Sequence, residues 1–106
     1  MPLFNPAKLA IPTLQVDSTT LVPGDSNFDP IEVAFFNTNT GKVSIVNTGS
    51  SNMWIGHDDS LSETQYTAKV EPNGLYETAD AFQGKVFVLQ NDSGSCVVTK
   101  YTTYFG

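Results

Sequence analysis

The chain has 106 residues and carries 11 Asp and Glu against 5 Lys and no Arg, a net charge of −6. That length gives one domain with one thin core. The lysines stand singly at 8, 42, 69, 85 and 100, so no basic patch exists to neutralise phosphates or hold an anionic bilayer, and neither nucleic acid nor membrane is expected as a partner.

The first 30 residues differ from the rest, with five of the six prolines: Pro2, Pro6, Pro12, Pro23 and Pro30. Proline fixes φ and donates no hydrogen bond, which disfavours a helix or a central strand. Apolar residues nevertheless run through the segment. Residues 1–30 are therefore expected to form an extended, proline-rich N-terminal arm that includes a first strand. Leu3, Phe4, Leu9, Ile11 and Leu14 are its candidate partner-binding residues, and residues 1 to about 22 are expected to touch other subunits more than their own sandwich. The opening MPLFNPAKLAIP lacks the basic start and long apolar run of a secretory signal.

From Ile31 the apolar period is two, so residues 31–106 are expected to form a β-sandwich domain. IEVAFFN (31–37) puts Ile31, Val33 and Phe35 on one face, and KVSIVN (42–47) points Val43 and Ile45 inward. NMWIG (52–56), YTAKVE (66–71), LYETA (75–79), GKVFVLQ (84–90) and SCVVTKYTTY (95–104) follow as strands. NTNTG (37–41), NTGSSN (47–52), EPNG (71–74) and NDSG (91–94) read as the turns between them, with Gly74 taking the left-handed residue of EPNG. DDSLSETQYTA holds at most one helical turn, capped by Asp58 or Ser60. The predicted fold is all-β: a single antiparallel sandwich of about seven or eight strands. Val43, Ile45, Ile55, Val86, Val88, Leu89, Val97 and Val98 are its expected core. Adjacent pairs such as Val97 and Val98 cannot share one face, so one of each must meet a second layer or a partner.

The chemistry-bearing residues gather in NMWIGHDD, which holds the only Trp and the only His. Trp54 sits mid-strand between Met53 and Ile55 and reads as core or subunit contact. His57, Asp58 and Asp59 make an incomplete metal set. Zinc needs several Cys or His at fixed spacing, and the calcium loop D-x-[DN]-x-[DN]-G is absent. Cys96, the one cysteine, lies in the apolar run SCVV and reads as a small core residue. Ser50, Ser51 and Ser60 sit in no nucleophile elbow, Glu71 and Glu77 are an arbitrary carboxylate pair, and no phosphate loop occurs. The reading is not an enzyme, with no catalytic residue, no metal and no cofactor.

Between residues 42 and 101 the order of short motifs is distinctive. Val46-Asn47-Thr48-Gly49 ends a strand, and Trp54-Ile55-Gly56 ends the next. Ser60 through Glu63 form a polar loop, and Glu71-Pro72-Asn73-Gly74 a turn. Gly84 through Leu89 form the long strand, and Ser93-Gly94 precedes the valine pair Val97-Val98. This arrangement resembles small β-sandwich virion accessory proteins of tailed bacteriophages, of the capsid decoration or cement type. The resemblance implies a structural virion protein, made in the host cytoplasm and carried on the outer capsid surface. It would bind across neighbouring copies of the major capsid protein and to copies of itself, as a dimer or trimer. An alternative is a carbohydrate-binding, lectin-like sandwich on a tail or fibre, with Trp54, Tyr66, Tyr76 and Tyr104 as stacking rings. A further alternative is another tail or head-completion subunit.

Overall fold

The computed structural model describes residues 12–105, with side chains from 14 to 103. Seven strands follow in order: β1 (Pro12–Pro23), β2 (Ile31–Asn47), β3 (Met53–Gly56), β4 (Ala68–Val70), β5 (Leu75–Glu77), β6 (Phe82–Leu89) and β7 (Ser95–Phe105). All pairings are antiparallel, and the described residues contain no helix. The sheet order is β1-β7-β2-β6-β3-β4, with β5 also paired to β2.

One long strand makes this sheet into two layers. The first half of β2 pairs with β6 from Ile31 to Phe36, whereas the second half pairs with β7 and β5 from Gly41 to Asn47. The first layer is thus β1, β7, late β2 and β5. The second is early β2, β6, β3 and β4. Residues of both layers meet in one core, with Val43, Ile45, Cys96 and Val98 against Met53, Ile55, Val86 and Val88.

The segment NTNTG was expected to be a hairpin turn, and it is the corner inside β2 where the chain crosses between layers. Gly41 makes the corner possible: a Cβ there would lie 2.1 Å from the Tyr101 carbonyl oxygen and 2.5 Å from the Phe36 ring. The expected inward face of IEVAFFN also changes. An irregularity between Glu32 and Ala34 resets the alternation, so Ala34 and Phe36 are buried while Phe35 is exposed. In EPNG the left-handed residue is Asn73 (φ 70) rather than Gly74. The bond from Gly74 N to Glu71 O (2.9 Å) closes a turn with Pro72 and then Asn73 at its centre, an arrangement asparagine tolerates. Gly74 is required instead because a Cβ would come within 2.7 Å of Val70 Cγ1.

Pro12–Pro23 form an edge strand, hydrogen-bonded to β7 from Pro12↔Phe105 to Pro23↔Ser95. Residues 12–22 of the expected partner-binding arm are thus hydrogen-bonded into their own sheet. The prolines sit at the two ends of an edge strand, where a missing N–H breaks no ladder. Leu3, Phe4, Leu9 and Ile11 lie outside the described residues.

Of the expected core, Val43, Ile45, Ile55, Val86, Val88, Leu89 and Val98 are buried, and Val97 is partly exposed on the outer face. The adjacent-pair argument is visible in β6. Val86 and Val88 face the main core, whereas Phe87 and Leu89 face outward into a satellite cluster with Leu61, flanked by Phe28 and Trp54.

One polar hub ties the strand ends together. Asn47 is fully buried. Its Nδ2 donates to the carbonyls of Ser51 and Val70, both at 2.9 Å, and its Oδ1 accepts from Gly49 N (3.1 Å) and Gln90 Nε2 (3.2 Å). Its backbone bonds Gly74 and Asn73. Three chain segments, 49–51, Val70 and Gln90, thus converge on one side chain that replaces its lost water contacts in full.

Candidate functional site

Two surfaces stand out, on opposite sides of the sandwich. The first is the outer face of the first layer. Register places Leu21 beside Val97, Val97 beside Val46, and Val46 beside Leu75, so one apolar row crosses β1, β7, β2 and β5. Leu21 is 65% exposed, Leu75 56% and Val46 37%. The next row is polar: Thr19 Oγ1 lies 3.4 Å from Thr99 Oγ1, and Ser44 donates to Glu77 at 3.1 Å. Beyond it Val16, also exposed, pairs with Tyr101, over whose ring Lys42 Nζ sits at 5.6 Å while bridging to Glu77 at 3.1 Å. That carboxylate is held below its ordinary range by hydrogen bonds from Lys42 and Ser44, and Lys42 is raised chiefly by its bond to Glu77. The register irregularity at Asp17 puts Val16 and Leu21 on the same side despite their odd spacing. Leu14, two residues before Val16, shares that side, and it is the one candidate partner-binding residue whose side chain is described.

The second surface lies outside the second layer. Trp54 on β3 faces outward beside Leu89, and its base packs on the satellite cluster. The Phe28 ring meets it edge-on, with centroids 5.9 Å apart and planes at 89°. Together with Ser50, Asn52, Glu63 and Asn91 they line an open cleft of about 520 Å³. Trp54 is thus half-buried, serving both as a flank of the satellite cluster and as a wall of the cleft.

The other rings named from sequence do not join it. Tyr66 is exposed on the 57–67 loop and lines a separate recess with His57 and Gln65. Tyr76 on β5 packs against the main core, with its hydroxyl 3.4 Å from His57 Nε2. Burial pushes that phenol upward. The side chain of Tyr104 lies outside the described ones.

His57, Asp58 and Asp59 have structural tasks of their own. His57 Nδ1 reaches the Lys85 carbonyl at 2.9 Å, and its ring lies 5.2 Å from that of Phe82. Asp58 accepts from the amide (2.9 Å) and hydroxyl of Ser60, which lowers its pKa. Among the described residues no three His, Cys, Asp or Glu side chains group as metal ligands. Cys96 is buried in the main core, and desolvation pushes its thiol up to about 11, so little thiolate forms near neutrality.

The exposed row Leu21-Val97-Val46-Leu75 was not foreseen from sequence. Its signal was present as the adjacent apolar pairs Ile45-Val46 and Val97-Val98, each of which sends one member outward. The comparisons add no relative to this picture: no protein-family model, no curated protein and no solved structure matches the chain.

Proposed function

We propose that the chain is a structural virion subunit of the capsid decoration type. In this reading it attaches across neighbouring copies of the major capsid protein and associates with copies of itself. The observation that carries the proposal is the apolar row on the outer face of the first layer. Apolar side chains on four adjacent strands, more than a third exposed at three positions, are what a subunit contact covers. Full burial of one such side chain is worth about 1.5–3 kcal/mol, so a flat partner surface gains several kcal/mol there before the cost of association. Leu14 on the edge strand β1 shares that side of the sheet, in keeping with its reading as a partner-binding residue. The motif order between residues 42 and 101 supports the virion assignment. An acidic chain suits the outer surface of a capsid better than its DNA-facing inside.

The test is association of the purified chain, followed by analytical ultracentrifugation. The wild type should sediment as a dimer or trimer at tens of micromolar. The double variant Leu21→Lys/Leu75→Lys should sediment as a monomer with an unchanged urea midpoint, because exposed substitutions seldom move stability by more than about 0.5 kcal/mol. Oligomers that survive in the double variant would remove the face from the proposal.

A further inference from the structure

We infer that the cleft between Phe28, Trp54 and the 91–94 turn binds a neutral saccharide. This is independent of the proposed assembly role, which uses the opposite face. Three features of the cleft select that ligand.

Its volume of about 520 Å³ falls within the range of about 300–1,000 Å³ usual for small-ligand sites and has room for more than one sugar unit. Its aromatic wall is fixed. Trp54 is held from behind by the satellite cluster, and Phe28 is held edge-on by a backbone that residues other than glycine rarely adopt (φ 56). Asp25 maintains that conformation, its carbonyl accepting from Phe28 N (2.9 Å) and its carboxylate from Asn27 N (2.8 Å). A rigid half-buried indole in the wall can pack against the C–H side of a pyranose at little entropic cost.

The polar rim is made of amides and hydroxyls. Asn91 Oδ1 already accepts from Ser51 Oγ (3.1 Å), Ser93 N (3.1 Å) and Ser93 Oγ (2.7 Å). This fixes which way its amide points and leaves Nδ2 as an oriented donor. Asn52 adds a second amide, Ser50 a hydroxyl, and Glu63 a carboxylate acceptor. Donors and acceptors together beside an aromatic wall match the vicinal hydroxyls of a sugar, each of which both donates and accepts. Charge excludes the obvious competitor. The lining contains one acid and no base, so a phosphate or carboxylate ligand would meet repulsion. Lys69, the register partner of Trp54 on β4, is not part of the lining.

Trp54 is the only tryptophan, so its fluorescence reports on this cleft alone. The full chain would be titrated with maltotriose, cellotriose, triacetylchitotriose and mannotriose to about 20 mM, a range that brackets the millimolar affinity of a shallow sugar site. Choline chloride and inorganic phosphate serve as charged probes. At least one trisaccharide should give a saturable change in emission. Asn91→Asp keeps the acceptor that holds the turn and deletes the donor, and it should weaken binding about tenfold. Asn52→Ala should weaken it severalfold with an unchanged urea midpoint. The inference fails if no trisaccharide saturates, if only choline or phosphate does, or if both variants bind as the wild type does.

Discussion

Replacing Asn47 with alanine removes the hub on which three chain segments, 49–51, Val70 and Gln90, converge. The side chain makes four hydrogen bonds, to Ser51 O, Val70 O, Gly49 N and Gln90 Nε2. At about 1 kcal/mol net each, losing all four costs about 4 kcal/mol. Partners near the surface recover some water, which trims the loss to about 3 kcal/mol. The Val70 carbonyl and the Gln90 amide lie deeper, and Gln90 Oε1 is already without a partner among the described residues, so the site tolerates no further unpaired group cheaply. A domain of this length has roughly 5–15 kcal/mol in total, so the variant should retain a fold of sharply reduced stability. Urea denaturation followed through Trp54 emission measures it, and the midpoint should fall by about 2 M or more at unchanged slope. Asn47→Asp should cost at least as much, because it sets a buried charge against two carbonyl oxygens. A loss below about 1 kcal/mol in either variant would refute the hub, since nothing else at that position could replace four bonds.

Cys96 should resist a thiol reagent in the native protein near pH 8 and react at once in urea, since the core both occludes it and holds its pKa at about 11; rapid native reaction would place it outside the core. Stability should also depend on pH at both ends. Asp58 and Glu77 have lowered pKa values, so their contribution is present above the ordinary carboxylate range and is lost as pH falls through their folded values. Cys96 and Lys42 are raised, so theirs is present below the unfolded values of 9.0 and 10.5 and is lost as pH rises through the folded ones. A melting temperature that is flat from pH 3 to neutrality, with a drop only on the alkaline side, would contradict the acid half of this account. Zinc and calcium should leave the melting temperature unchanged, because His57 is engaged by Lys85 and Tyr76 and Asp58 by Ser60; a metal bound only to the native state would raise it.

Most of the strand pattern was legible in the sequence because period-two alternation, set off by Asn, Gly and Pro turns, carries it directly. Val43, Ile45, Val86 and Val88 needed nothing more. What escaped was set by contacts between distant residues. NTNTG has the composition of a hairpin turn, yet β2 runs through it, because β6 holds one half of the strand while β7 and β5 hold the other. The irregularity at 32–34 inverted a face that strict alternation had assigned. Proline composition disfavoured a central strand in the first 30 residues without placing the first strand, and Pro12–Pro23 fit as an edge strand because proline at its ends costs no ladder bond. The cleft was legible only as the single residue Trp54. Phe28 reaches it from a different loop, through a backbone conformation that no local propensity favours.

The proposed role is that of a shell subunit whose outer first-layer face is covered by neighbours. The most direct measurement is an electron-microscopy map of an intact particle assembled in its presence. Density for this sandwich should lie on the outer capsid surface, with Leu21, Val46, Leu75 and Val97 against a capsid protein or a second copy, and the Trp54 cleft open to solvent. A particle that carries the chain with that apolar row facing bulk solvent, or particles that never carry it, would contradict the claim.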